Sequence, residues 1–144
     1  MTMTDTAGRA RFTELVKLQT QGRRFLDRDQ ERKLLEEGLT RYGLSLEEAQ
    51  GLLRGAAQDG DVAMEAELGT SSRQLLRTLA DRRNRVARDD FTRAVAFYRA
   101  RAGGELTDTE ARRRVKRLME EMDLQPRPSG RILRTRRWYR AIDA

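Results

Sequence analysis

A chain of 144 residues is one domain by length, and its 37% charged residues against a typical share of about 25% demand an unusually ionic surface. Cysteine and histidine are both absent, which excludes a disulfide-stapled fold, imidazole or thiolate catalysis, and zinc or histidine-containing di-iron sites. No apolar run is longer than the five residues from Ala94 to Tyr98, so neither a signal peptide nor a membrane span is expected, and a cytoplasmic location is.

The apolar positions recur at helical spacing, which predicts an all-α fold: a single compact domain of five to six amphipathic helices with a short extended or hairpin-like C-terminal arm. Residues 1–8 are small and polar and read as a flexible N-terminus; residues 9–125 form the helical domain and 126–144 the arm. A first helix is expected from about Arg9 to Thr20, with Phe12, Leu15 and Val16 on one face and Gly22 beyond its end. Asp27 or Asp29 caps a second, which runs to about Tyr42 with acids leading, as the helix dipole prefers, and stops at Gly43. Ser45 and Glu48 form a capping box for a third helix that turns Ala49, Leu52, Leu53 and Ala56 inward. Residues 62–68 read as a short helix or a loop. Ser71 and Gln74 give a second box for a helix to about Arg83, which Asn84 can close. Asp89 or Asp90 then caps the most apolar helix, with Phe91, Ala94, Val95 and Tyr98 on one stripe and Gly103-Gly104 at its end. Thr107 and Glu110 open the clearest helix, inward at Ala111, Val115, Leu118, Met119 and Met122, and basic outward at Arg112, Arg113, Lys116 and Arg117. Pro126 and Pro128 lack backbone donors and force extended geometry, so the arm leaves the helix there. The recurring capping boxes suggest a chain of helical hairpins, without a repeat strong enough to align.

Charge is divided unequally along this chain. Residues 1–70 hold ten Lys/Arg against thirteen Asp/Glu, a balance of −3, and residues 71–144 hold twenty against ten, a balance of +10. A field of one sign attracts phosphates, anionic lipid or an acidic protein surface. Twenty-seven of the thirty cations are arginine, the residue suited to bidentate phosphate contacts, although a GC-rich genome gives the same bias. The arm, residues 127–144, sets six arginines and one acid among Ile132, Leu133, Trp138, Tyr139 and Ile142. In an extended piece Trp138 and Tyr139 would point to opposite sides. Either both anchor the arm, or one anchors it while the other faces a partner.

Tests for catalysis and metal binding fail. Asp59-Gly60-Asp61 begins like a calcium loop, but the fifth position is Ala63 and the twelfth Thr70, where oxygen ligands are required. Adjacent acids such as Glu36-Glu37, Asp89-Asp90 and Glu120-Glu121 diverge by about 100° on a helix and cannot converge on one proton. No phosphate-binding glycine loop occurs. Met64, Met119 and Met122 fit core filling better than an adaptable groove. The chain is therefore expected to bind rather than catalyse, with no cofactor and no metal.

Two segments resemble known families. Residues 107–140, through T-D-T-E-A-R-R-R-V-K-R-L-M-E-E-M-D-L and the arginine-aromatic piece after it, resemble the recognition helix and wing of winged-helix DNA-binding domains. That resemblance implies Thr109, Arg112, Arg113 and Lys116 at base edges and Arg131, Arg134, Arg136 and Arg137 on phosphates. Asp123 stands where that pattern favours glycine. Residues 25–53, through F-L-D-R-D-Q-E-R-K-L-L-E-E-G-L-T-R-Y-G-L-S-L-E-E-A-Q-G-L-L, resemble the helical hairpins of the TerB-like tellurite-resistance family, which implies a non-enzymatic module of stress-response complexes. The expectation is thus a nucleic-acid or other polyanion contact through Thr109, Arg112, Arg113, Lys116, Arg117, Arg131, Arg134, Arg136, Arg137, Trp138, Tyr139 and Arg140. The alternative is a helical adaptor whose basic tail docks on an acidic protein. Self-association or membership of a larger complex is left open.

Overall fold

The inward stripes of the sequence do become buried faces, on seven helices among the described residues of the computed structural model, which are 3–130 and 133–143. The fold is all-α, with four strands of only two residues each. Backbone contacts divide the chain into two compact units, residues 1–66 and 67–144.

The first unit holds α1 (Met3–Thr20), β1 (Phe25–Leu26), α2 (Arg28–Thr40), α3 (Leu46–Asp59) and β2 (Ala63–Met64). Helix α1 starts well before Arg9, and there Gly8 lies so close to the Tyr42 carbonyl that a Cβ would sit 2.8 Å from its oxygen. Asp27 caps α2 in a capping box with Gln30, and Ser45 caps α3 in one with Glu48. Glu48 also accepts from Arg9 Nε at 2.7 Å, and that bond is the main cause holding its carboxyl below the usual range. Gly43 takes the left-handed turn, at φ +65°, that lets α2 fold back into α3. Strand β1 enters this hairpin and β2 leaves it, and the two pair in parallel. Phe12, Val16, Leu26, Leu34, Leu53 and Met64 lie in the core they enclose.

The second unit contains most of α4 (Glu65–Leu79), then β3 (Arg85–Val86), α5 (Arg88–Arg101), α6 (Asp108–Glu121), β4 (Gln125–Pro126) and α7 (Arg137–Arg140). Two capping expectations are corrected here. Ser71 does not start a helix: Asp61, at φ +54°, turns the chain and β2 pairs at once, so α4 begins at Glu65 and Ser71 falls in its interior. Neither Asp89 nor Asp90 is the cap of α5. Ala87 holds that position without a side-chain bond, and the two acids sit in the first turn, where the dipole favours them. Thr107 caps α6 as expected, accepting from the Glu110 amide at 3.1 Å. Pro126 closes the β3–β4 pair without loss, because the amides of Gln125 and Arg127 on either side donate to Asn84 and Val86.

The two units repeat one plan. Helix, two-residue strand, helix, helix and two-residue strand follow in the same order, and both strand pairs are parallel. Residue n of 5–43 corresponds to n + 60, and residue n of 44–64 to n + 62, after the extra Gly104-Glu105. This register aligns the buried Leu44 with Leu106, Ala49 with Ala111, Leu53 with Val115 and Val62 with Leu124. It also aligns Ser45 with Thr107, both caps, and Asp61 with Asp123, both at positive φ. Only ten of the sixty aligned positions are identical, so the repeat is carried by burial and turn geometry rather than by residue identity.

Large and small core residues stand at swapped positions in the two copies. In the first, Phe12 of α1 packs over Gly38 of α2, where a Cβ would lie 3.1 Å from the Phe12 ring. In the second, the Phe12 position is Ser72 and the Gly38 position is Tyr98, both buried. The large ring of the second copy thus stands on the opposite helix, at the position of the first copy's glycine.

Candidate nucleic-acid interface

The C-terminal arm is docked. Ser129 and Thr135 exchange both backbone hydrogen bonds in an antiparallel bridge, closing a small loop, and the chain then turns into α7. The extended geometry expected for Trp138 and Tyr139, with opposite orientations, is not adopted, because in the short helix both rings reach Phe91 of α5. Ring centroids are 5.4 Å apart for Phe91–Trp138 and 6.2 Å for Phe91–Tyr139. Tyr139 is 8% exposed, and the half-buried Trp138 donates its indole N–H to the Arg127 carbonyl at 3.1 Å. Anchoring is what the aromatics do.

Lys116 completes the dock. Its Nζ donates to the carbonyl oxygens of Tyr139 and Ile142 at 3.1 and 2.6 Å, satisfying the end of α7, and lies 4.6 Å from the Tyr139 ring centre. Burial, with Glu120 nearby, pushes the Tyr139 phenol up to about 12. A second clamp holds the root of the arm. Asp81 accepts from the amides of Arg83 and Arg85 at 2.9 Å each and from Arg127 Nη2 at 2.8 Å. The Arg127 bond, then the Arg85 amide, holds the Asp81 carboxyl far below its ordinary range.

The predicted site residues separate into groups. Lys116 is committed to the arm's carbonyls rather than presented outward. Arg112 is paired with Asp108 at 2.7 Å. Thr109 is exposed in the first turn of α6, between Asp108 and Glu110. Arg113 and Arg117 are exposed one turn apart on the same helix. Arg134, Arg136 and Arg140 are brought together with Thr135 and Pro128 as the walls of a shallow cleft of about 440 Å³. Arg137 is exposed on α7, and Arg131 lies outside the described residues. Among the described residues, no carboxylate is in ion-pair range of Arg113, Arg117, Arg134, Arg136, Arg137 or Arg140. Sequence reasoning missed Asp81, which reads as an ordinary turn acid, and the docking role of Phe91.

The repeat register shows what the fold itself requires. Helix α3 carries Gln50, Gly51, Leu52, Arg54 and Gly55 where α6 carries Arg112, Arg113, Arg114, Lys116 and Arg117. The same scaffold is built once with one cation at these positions and once with five. Phe91, the arm's dock, replaces Glu31. Among the described residues no group of three carboxylates could hold a metal ion, and no helix is long and apolar enough to cross a membrane. Comparison with family models, with curated proteins and with solved structures finds no match to this chain.

Proposed function

We propose that this is a non-enzymatic, cytoplasmic protein that binds nucleic acid through the phosphates, using the basic surface of its second unit. The observation that carries the reading is the divergence of the two repeats. Residues 67–144 hold twenty Lys/Arg against eleven Asp/Glu, and the extra cations of α6 occupy positions that the first copy fills with small or neutral side chains. A genome-wide arginine bias would load both copies alike. The exposed Arg113 and Arg117 have no counterpart in the first copy, and a polyanionic ligand gives them a role. The winged-helix resemblance of residues 107–140 points the same way.

Mobility shift on duplex DNA, single-stranded DNA and RNA at low salt tests this. Full-length protein should shift at least one probe, and Arg113→Gln with Arg117→Gln should weaken the shift while leaving the fold intact. Truncation at Gln125 is the wrong variant, because it uncovers Phe91 along with removing arginines. Absence of any shift would reject the proposal.

A second reading keeps the TerB-like resemblance, a helical adaptor whose basic arm meets an acidic protein. It draws support from an open groove in the first unit, about 550 Å³, lined by Ala10, Arg11, Glu14, Leu15, Leu18, Arg41 and Tyr42, with Leu18 69% exposed. Recovery of a protein partner that Leu18→Glu abolishes, together with no nucleic-acid shift, would favour it.

A further inference from the structure

Resting on the nucleic-acid reading, we infer that the cleft walled by Arg134, Arg136 and Arg140 seats one backbone phosphate of a duplex, and that the protein takes double-helical nucleic acid without regard to base sequence. Three arginines and Thr135 line the cleft, and Pro128 completes it. Among the described residues, no carboxylate and no aromatic residue lines it. These side chains offer donors whose geometry suits phosphate oxygens. The cleft is also pre-formed, one wall held by the two-way Ser129–Thr135 bridge and the other by α7 with its Lys116 and aromatic anchors. The backbone on both sides is thus set before binding, and only the arginine side chains remain to be ordered.

Two further features set the ligand class. Proteins that hold single strands stack successive bases on open aromatic rings. In the second unit Tyr98 and Tyr139 are buried, Trp138 packs on Phe91, and Arg101 covers Phe97 at 5.1 Å. No aromatic side chain among the described residues of that unit stands fully exposed. Base reading by α6 is opposed as well. Its first turn presents Asp108 and Glu110, Asp108 already holds Arg112, and an acidic helix start repels the phosphates flanking a groove. Backbone contact to a regular duplex is what remains.

Fluorescence anisotropy with the full chain tests this, using a labelled duplex, a duplex of unrelated sequence and the single strand of the first, each over a salt series. The variants are Arg136→Gln with Arg140→Gln, and Arg113→Gln with Arg117→Gln as the comparison, with near-UV circular dichroism confirming that the arm stays docked. The expected result is equal affinity for the two duplexes within about threefold, no tighter binding of the single strand, and a salt slope lowered by about 1 in the cleft variant, the contribution of one phosphate. A cleft variant with unchanged affinity and slope overturns the site, while binding lost only in the comparison variant leaves nucleic-acid recognition standing on α6. Tenfold tighter binding of the single strand overturns the duplex assignment. No binding to any probe, with binding to phosphatidylserine vesicles instead, overturns the parent reading along with this one.

Discussion

Ser72 is the residue whose environment is hardest to explain inside its own unit and simplest to explain across the repeat. It is fully buried, and its hydroxyl is the one buried side-chain polar atom without a partner among the described residues. Its position is that of Phe12, while the large ring of this unit stands at Tyr98, the position of Gly38. Ser72→Ala keeps the size and removes the unmade hydrogen bond, so it should stabilise the protein by about 1 kcal/mol in chemical denaturation. Ser72→Phe should destabilise by about 2 kcal/mol or more through overpacking. Adding Tyr98→Gly, which restores the first copy's arrangement, should recover part of that loss in a double-mutant cycle. Additive losses would show that the exchange of volume is not real. Tyr139 makes a prediction in pH. Its phenol ionises at about 12 when docked and near 10 in an unfolded chain. The stability from its protonated form is therefore complete below pH about 10 and is lost as pH rises from there through about 12. Asp81 has the opposite sign: its contribution is present above pH about 4 and fades as pH falls below that. Following the phenolate absorbance on titration reads the first directly; an ordinary phenol would mean the ring is not buried.

As an element, the arm belongs to the core of its unit as much as to its surface. Tyr139→Ala should cost about 3 kcal/mol by the usual cost of emptying an aromatic site, and Lys116→Met, which leaves the carbonyls of Tyr139 and Ile142 without their donor, should loosen the arm in hydrogen exchange. A Tyr139→Ala protein as stable as the parent would mean the arm is not docked. How far this was legible in sequence depends on the range of the interaction. Asp27, Ser45 and Thr107 announce their helices because a cap acts on amides two or three residues away. Leu34, Leu53 and Val115 announce their buried faces by period. The two-residue strands give no periodic signal. Ser71 imitates a cap because nothing local tells that β2 has already started α4 at Glu65. The docking of Lys116 on residues 139 and 142 was hidden for the same reason: only tertiary packing brings them together, and on the sequence an outward lysine in a basic stripe reads as a ligand contact. The repeat stayed silent because exchanges such as Phe12/Gly38 for Ser72/Tyr98 preserve volume while erasing identity.

For the molecule as a whole, the asymmetry of charge acquires a physical meaning once the copies are aligned. One scaffold occurs twice, and the second copy alone gathers cations on α6, receives the arm on Phe91, and sets three arginines around a cleft. In the proposed complex Arg113 and Arg117 add two contacts to the one phosphate seated by Arg134, Arg136 and Arg140, about three in all. Binding of a short duplex to the full-length protein, followed across a salt series, is the direct test. About three contacts predict a slope of log K against log salt near −2.7; an affinity that does not change with salt, or no binding at low salt, would contradict the account.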